Sequence, residues 1–262
     1  MGSGSGGTGV WQNVTHPDLN MNPNFNPAGN FGAASVMVDP VRPSDLYASV
    51  CYQGLWKSTD YGLTWIKINT GTNGDKIDAG RPAMVIDPNP NRDPATPPTI
   101  YSNSLYGASG LWKSTNGGRD WIDVWVSVRA SNGVTDIKNT VGADVGVPVV
   151  DPLDSQHLII GMHGSMTHAD HIFESINGGA TWIDRGPVGM TNLSVFLIDR
   201  TTWIVQGDYF ASGNTRRTRN SGASWEVIGP MAHAHGGASL LNLGNGELYL
   251  GASEPIKAFT IR

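Results

Sequence analysis

One eight-residue pattern recurs four times in this chain and restricts its fold more than any other feature. The copies are Ser58-Thr59-Asp60-Tyr61-Gly62-Leu63-Thr64-Trp65 and Ser114-Thr115-Asn116-Gly117-Gly118-Arg119-Asp120-Trp121, then Ser175-Ile176-Asn177-Gly178-Gly179-Ala180-Thr181-Trp182 and Thr218-Arg219-Asn220-Ser221-Gly222-Ala223-Ser224-Trp225. Each has the form [Ser/Thr]-x-[Asp/Asn]-x-Gly-x-x-Trp. They begin at residues 58, 114, 175 and 218, so they recur every 43–61 residues, the period of propeller blades or solenoid units. Each copy reads as a hairpin turn. The Asp or Asn accepts hydrogen bonds from the backbone that follows it, the Gly supplies a positive φ, and the Trp opens the next strand. Strand-like runs precede the turns, as in Gly54-Leu55-Trp56-Lys57 and Gly110-Leu111-Trp112-Lys113.

A second regularity lies upstream of each turn. Residues 34–40, 82–88, 147–152 and 193–199 are apolar runs ending at Asp39-Pro40, Asp87-Pro88, Asp151-Pro152 and Asp199. They predict buried inner strands closed by a tight turn, with a second strand after each, such as 46–50 and 158–161. The tail, with runs at 238–243, 247–251 and 257–261, forms a fifth unit that stops one strand short. Residues 10–14 are expected to supply that strand and close the ring, which would remove the sheet edges. The expected fold is all-β: a single propeller of five blades, each of four antiparallel strands, over 10–262. Residues 1–9 are a flexible Gly/Ser linker or tag.

Composition agrees with that reading and narrows the partners. Of 262 residues, 34 are Gly and only 15% are charged, a chain rich in turns and poor in helix formers. The net charge of −5 argues against a nucleic-acid partner, and no apolar run is long enough to span a membrane. A single cysteine, Cys51, permits no internal disulfide and reads as a buried thiol.

The four turns resemble the Asp-box repeats of sialidases, xyloglucanases and related secreted propellers, and Trp11-Gln12-Asn13-Val14 resembles the start of the xyloglucanase type. The resemblance implies a secreted or periplasmic, monomeric, carbohydrate-directed protein. It also implies that the boxes are structural turns set away from the active site. Hydrolysis by that family implies paired loop aspartates, for which Asp78 and Asp144 are the candidates, one as acid and one as base or nucleophile. Glu254 lies on the same expected face. Tyr52, Tyr106, Tyr209 and Phe31 could stack on sugar rings, and Arg81 is a candidate substrate contact. A sialidase would need an arginine triad, which Arg81 alone does not make.

Histidines on that face offer another chemistry. His163, His233 and His235, with Asp208, could hold one divalent ion such as zinc, copper or iron, whereas His168 and His171 read as structural. A polysaccharide lyase, a metal-dependent enzyme and a non-catalytic glycan- or protein-binding propeller are the alternatives to a hydrolase.

Overall fold

The computed structural model describes residues 12–22, 32–80, 82–103, 110–130, 133–136, 144–162, 168–191, 193–207, 214–230, 239–242, 248–251 and 259–261. Its strands fall into five sheets. The first contains β1 (Ala33–Val38), β2 (Leu46–Val50), β3 (Gly54–Ser58) and β4 (Ile66–Lys67), and a one-turn helix, α1 (Gly74–Asp78), leads away from it. The second contains β5 (Met84–Ile86), β6 (Ile100–Asn103), β7 (Leu111–Ser114) and β8 (Ile122–Asp123). A hairpin of β9 (Ser127–Ala130) and β10 (Gly133–Asp136) then joins the third sheet, whose own strands are β11 (Val149–Asp151), β12 (Asp154–Gly161), β13 (His171–Ser175) and β14 (Trp182–Pro187). The fourth has β15 (Ser194–Leu197), β16 (Trp203–Gln206), β17 (Asn214–Thr218) and β18 (Glu226–Pro230). The fifth has β19 (Ser239–Asn242), β20 (Leu248–Gly251) and β21 (Phe259–Ile261).

In the first, second and fourth sheets, strands pair with their sequence neighbours and run antiparallel, as the repeat predicts. Two arrangements depart from expectation. The third sheet has six strands, because β9 lies parallel against β14 with Trp182 opposite Val128. Residues 12–22 contain no strand. They fold back over the first sheet, where the His16 ring lies 5.0 Å from that of Trp56 and Gln53 exchanges two hydrogen bonds with the Asn20 backbone at 2.7 and 3.1 Å.

Alternation along the strands decides what is buried. Tyr47 and Leu55 of the first sheet pack with Met84, Ile86, Ile100, Trp112 and Trp121 of the second. Tyr101, Leu111 and Trp125 meet Leu158, Ile160, Phe173 and Trp182 of the third. Ile159 and Ile172 meet Val195, Trp203 and Val205 of the fourth. Four successive sheets are thus stacked face to face across three apolar layers, in a propeller-like all-β arrangement.

The repeat turns share one hydrogen-bond lattice. In each, the leading hydroxyl donates to the Asp or Asn (Ser58 to Asp60, 2.7 Å; Thr218 to Asn220, 2.9 Å) and accepts from the glycine N–H four residues on. The Asp or Asn then accepts the backbone N–H of the residue before the Trp, at 2.9–3.0 Å in all four copies. Hydrogen bonds from the Thr64 hydroxyl and backbone and from Ser58 pull the Asp60 carboxyl down to a pKa of about 2. At the same end, where the inner strands turn, Asp39, Asp87, Asp151 and Asp199 each accept the backbone N–H two residues ahead at 2.9–3.0 Å, which is why an Asp stands at each of these turns.

Candidate functional site

The ends opposite the repeat turns carry the described candidate residues Tyr52, Asp78 and Asp144. There the end of the second strand of one sheet is tied to the segment leading into the next. Tyr52 N–H donates to Gly80 C=O (2.7 Å), Asn103 Nδ2 to Val145 C=O (2.9 Å), and Leu193 N–H to Met162 C=O (3.0 Å). Among the described residues, this stitching places Tyr52, Asp78 and Asp144 at that rim.

Asp78 ends α1 and is pinned at that rim. Its Oδ2 accepts from Lys67 Nζ at 2.9 Å and its Oδ1 from Asn69 Nδ2 at 2.7 Å. Gly54 makes this approach possible: its φ is 77°, and a Cβ there would stand 2.2 Å from Asp78 Oδ1. Asn69 is buried and is the organising residue, since its Oδ1 also accepts Leu55 N–H (2.9 Å) and its Nδ2 donates to Gly74 C=O (2.8 Å). With both oxygens of Asp78 engaged as acceptors, its geometry suits a base, nucleophile or binding group rather than a proton donor.

Beside it lies a cleft of about 470 Å³. Tyr52, Gln53, Trp56, Ile66 and Lys67 of the first sheet line it, with His16 and Asp18 from the returning amino-terminal segment. Tyr52 is held at φ 57°, a left-handed conformation that disfavours any residue with a Cβ. The indole N–H of Trp56 is satisfied by Gln53 C=O at 3.0 Å. An aromatic wall with an ammonium, a carboxylate, an amide and an imidazole within one cleft suits a ligand with many hydroxyls and apolar ring faces.

Asp144 is half-buried at the lead-in to β11. The next residue, Val145, bridges to Met162. Asp78 and Asp144 therefore occupy equivalent lead-in positions of adjacent sheets. Tyr106, Tyr209, Arg81, Phe31, Glu254, His163, His233, His235 and Asp208 lie outside the described residues. His168 and His171, read from sequence as structural, lie together with Asp184 on the same rim of the third sheet.

One buried polar network lies away from the rim. His157, fully buried, has Nδ1 3.0 Å from Asp151 Oδ2 and Nε2 2.9 Å from Glu174 Oε1, and Arg185 donates to Glu174 Oε2. Burial alone would lower the His157 pKa, but the hydrogen bonds to Glu174 and Asp151 outweigh it and the net shift is upward. Burial likewise acts to raise Glu174, and His157 and Arg185 reverse it, leaving Glu174 below its ordinary value. With its imidazole so enclosed, the network serves packing between the strands of the third sheet.

Sequence reading missed Lys67, Asn69, Gln53, Trp56 and His16. Trp56 carried a signal, because the Gly-Leu-Trp-Lys run occurs twice. Asn69 carried none, since its partners lie 14, 5 and 9 residues away in a non-repeating stretch.

No family model matches the chain. It is similar to a xyloglucanase from a Paenibacillus species, 27% identical over 253 residues that cover 86% of this chain and 23% of the relative. The chain thus spans less than a quarter of that relative's length. Among solved structures it resembles the GH74 enzyme of Niastella koreensis, with TM-score 0.55 and 22% identity over 84% of this chain and 34% of the other. It also resembles YCF48 from Cyanidioschyzon merolae, with TM-score 0.50 and 11% identity over 88% and 72% of the two chains. These structural likenesses establish the fold, an all-β propeller-like stack of sheets.

Proposed function

We propose that this chain is a secreted, carbohydrate-directed propeller that acts on xyloglucan-type polysaccharide as a glycoside hydrolase. The observation that carries this is the likeness to a xyloglucanase along 86% of the chain, and the loop rim supplies chemistry that fits it. Asp78, anchored by Lys67 and Asn69, is the base or nucleophile. Asp144, at the equivalent position of the next sheet, is the acid. Tyr52 and the cleft beside it hold a sugar unit. The four repeat turns are Asp-boxes with a structural role. The five sheets are the blades of a ring, whose closure would bury the side of β1 bearing Val36 and Val38, 58% and 52% exposed.

The test is release of reducing ends from xyloglucan by the purified chain, with Asp78→Asn and Asp144→Asn in parallel. Hydrolysis lost by at least roughly a hundredfold in each variant supports the proposal. Hydrolysis unchanged in both removes the two aspartates from the mechanism. A second reading, a binding propeller without turnover, is favoured by the aromatic and polar lining of the cleft beside Asp78, and saturable binding of intact polysaccharide without release of reducing ends selects it.

A further inference from the structure

His168, His171 and Asp184 form a cluster that neither the xyloglucanase likeness nor the cleft at the first sheet uses. One nitrogen from each ring and one carboxylate oxygen lie within 4.8 Å of one another. A tight turn sets the two rings together: His171 N–H donates to His168 C=O at 3.0 Å, and the ring centroids are 4.7 Å apart at 83°. The third member comes from the adjacent strand β14, where His171 Nδ1 stands 2.8 and 3.0 Å from the two oxygens of Asp184. Backbone contacts hold this frame, with Val188 N–H on Asp170 C=O (2.7 Å) and Gly186 N–H on Asp184 Oδ1 (2.8 Å).

Two details point to a ligand rather than to packing alone. His168 Nδ1 is buried without a hydrogen-bond partner, and a polar atom in that state is destabilising until something satisfies it. On the far side of the His171 ring, Asp170 Oδ1 lies 3.8 Å from Nε2. That is longer than a hydrogen bond, but it sets a carboxylate close enough for its charge to favour a proton on Nε2.

We propose that His168, His171 and Asp184 bind a divalent zinc-class ion, with the Asp170 carboxylate nearby and at least one coordination position open. Two neutral imidazoles and a carboxylate are the donor set of zinc and its neighbours, not of calcium or magnesium. Two ligands on a tetrahedral zinc at about 2.0–2.1 Å stand roughly 3.3 Å apart. The His171–Asp184 pair therefore opens by only a few tenths of an ångström to admit the ion, and the donor atom of His168, within 4.8 Å of both, moves in to complete the set. As the metal replaces the hydrogen bond, the neutral His171 ring takes the tautomer with its proton on Nε2, on the side of Asp170, and binds through Nδ1 uncharged. The ion then clamps the turn at 168–171 to β14 within the third sheet. This site does not depend on the carbohydrate reading and differs from the His163, His233, His235 and Asp208 set.

The test titrates the full chain, stripped with chelator, with zinc chloride by calorimetry and with cobalt chloride by visible absorption, alongside His168→Gln and Asp184→Asn. Because His168 Nδ1 makes no hydrogen bond, His168→Gln removes a ligand while leaving the fold's contacts in place, and circular dichroism checks that it does. One zinc per chain, competing with cobalt and weakened at least roughly tenfold in His168→Gln, supports the site. Absence of saturable zinc binding in the wild type, or wild-type affinity in His168→Gln, overturns it. Should Asp184→Asn misfold, His168→Gln alone decides.

Discussion

Asn69 shows how one side chain can hold a rim in place. It joins β3, α1 and Asp78 through three hydrogen bonds, and it is only 3% exposed. Truncation to Ala leaves the Leu55 N–H and the Gly74 carbonyl without partners, at about 1–3 kcal/mol each. Asn69→Ala is therefore expected to lower unfolding free energy by about 2–4 kcal/mol in denaturant titration, and Asn69→Asp by more, because it sets a second carboxylate against Asp78. None of this is visible in the sequence. Asn69 matches no motif, and its role depends on where α1 and β3 come to lie. Asp78 was nominated from sequence only as a loop acid. Its partners Lys67 and Asn69 are what give it a fixed position.

At the scale of the element, the repeat turns were legible because their chemistry is local. The hydroxyl, the Asp or Asn and the Gly satisfy one another within eight residues, so the pattern alone specifies the turn. The structure adds that the residue before the Gly is also left-handed: Gly117 and Gly178 at φ 72° and 66°, but Tyr61 and Ser221 at 60° and 53°. A side chain at such a φ costs about 1–2 kcal/mol, against about 0.4–1 kcal/mol for the added freedom of glycine in the unfolded chain. Tyr61 is 74% exposed, so little packing is at stake. Tyr61→Gly should stabilise the chain by about 0.5–1 kcal/mol in thermal melts, and Gly117→Tyr should destabilise it. The β9–β10 hairpin had a local signal in Asn132-Gly133, yet it falls outside the repeating unit and went unread. Its parallel docking on β14 has no local signal at all, since the paired residues are more than fifty positions apart.

Across the whole molecule, stacking explains what strand patterns could not. Trp121 and Trp182 are fully buried between sheets, whereas the equivalent Trp65 of the first sheet is only half-buried. Burial of a repeat position thus depends on the neighbouring sheet, a non-local fact. Of the expected closing strand at residues 10–14, the described residues 12–14 are exposed and form no strand, and the Pro17-Asp18 turn leads the segment across the first sheet toward Gln53 and Trp56.

The buried His157 network ties stability to pH. His157 has a raised pKa, so its contribution is complete below its ordinary value of 6.5 and is lost as pH rises through the folded value. Glu174 is lowered, so its contribution is complete above its ordinary 4.5 and is lost as pH falls through the folded value. The network is therefore most stabilising between about pH 4.5 and 6.5, and His157→Gln should flatten the alkaline limb of stability against pH measured by denaturant titration.

The central claim, that the loop rim beside Asp78 receives carbohydrate, is tested most directly by titrating xyloglucan oligosaccharide into the wild type and Tyr52→Gly. Tyr52 holds an aromatic ring at φ 57° on the cleft wall, and glycine relieves that strain while removing the ring. The account predicts saturable binding by the wild type. In Tyr52→Gly it predicts binding weakened at least roughly tenfold, as loss of about 1.4 kcal/mol of ring stacking requires, with stability held within about 1 kcal/mol. Failure of the wild type to bind, or equal binding by both proteins, would contradict it.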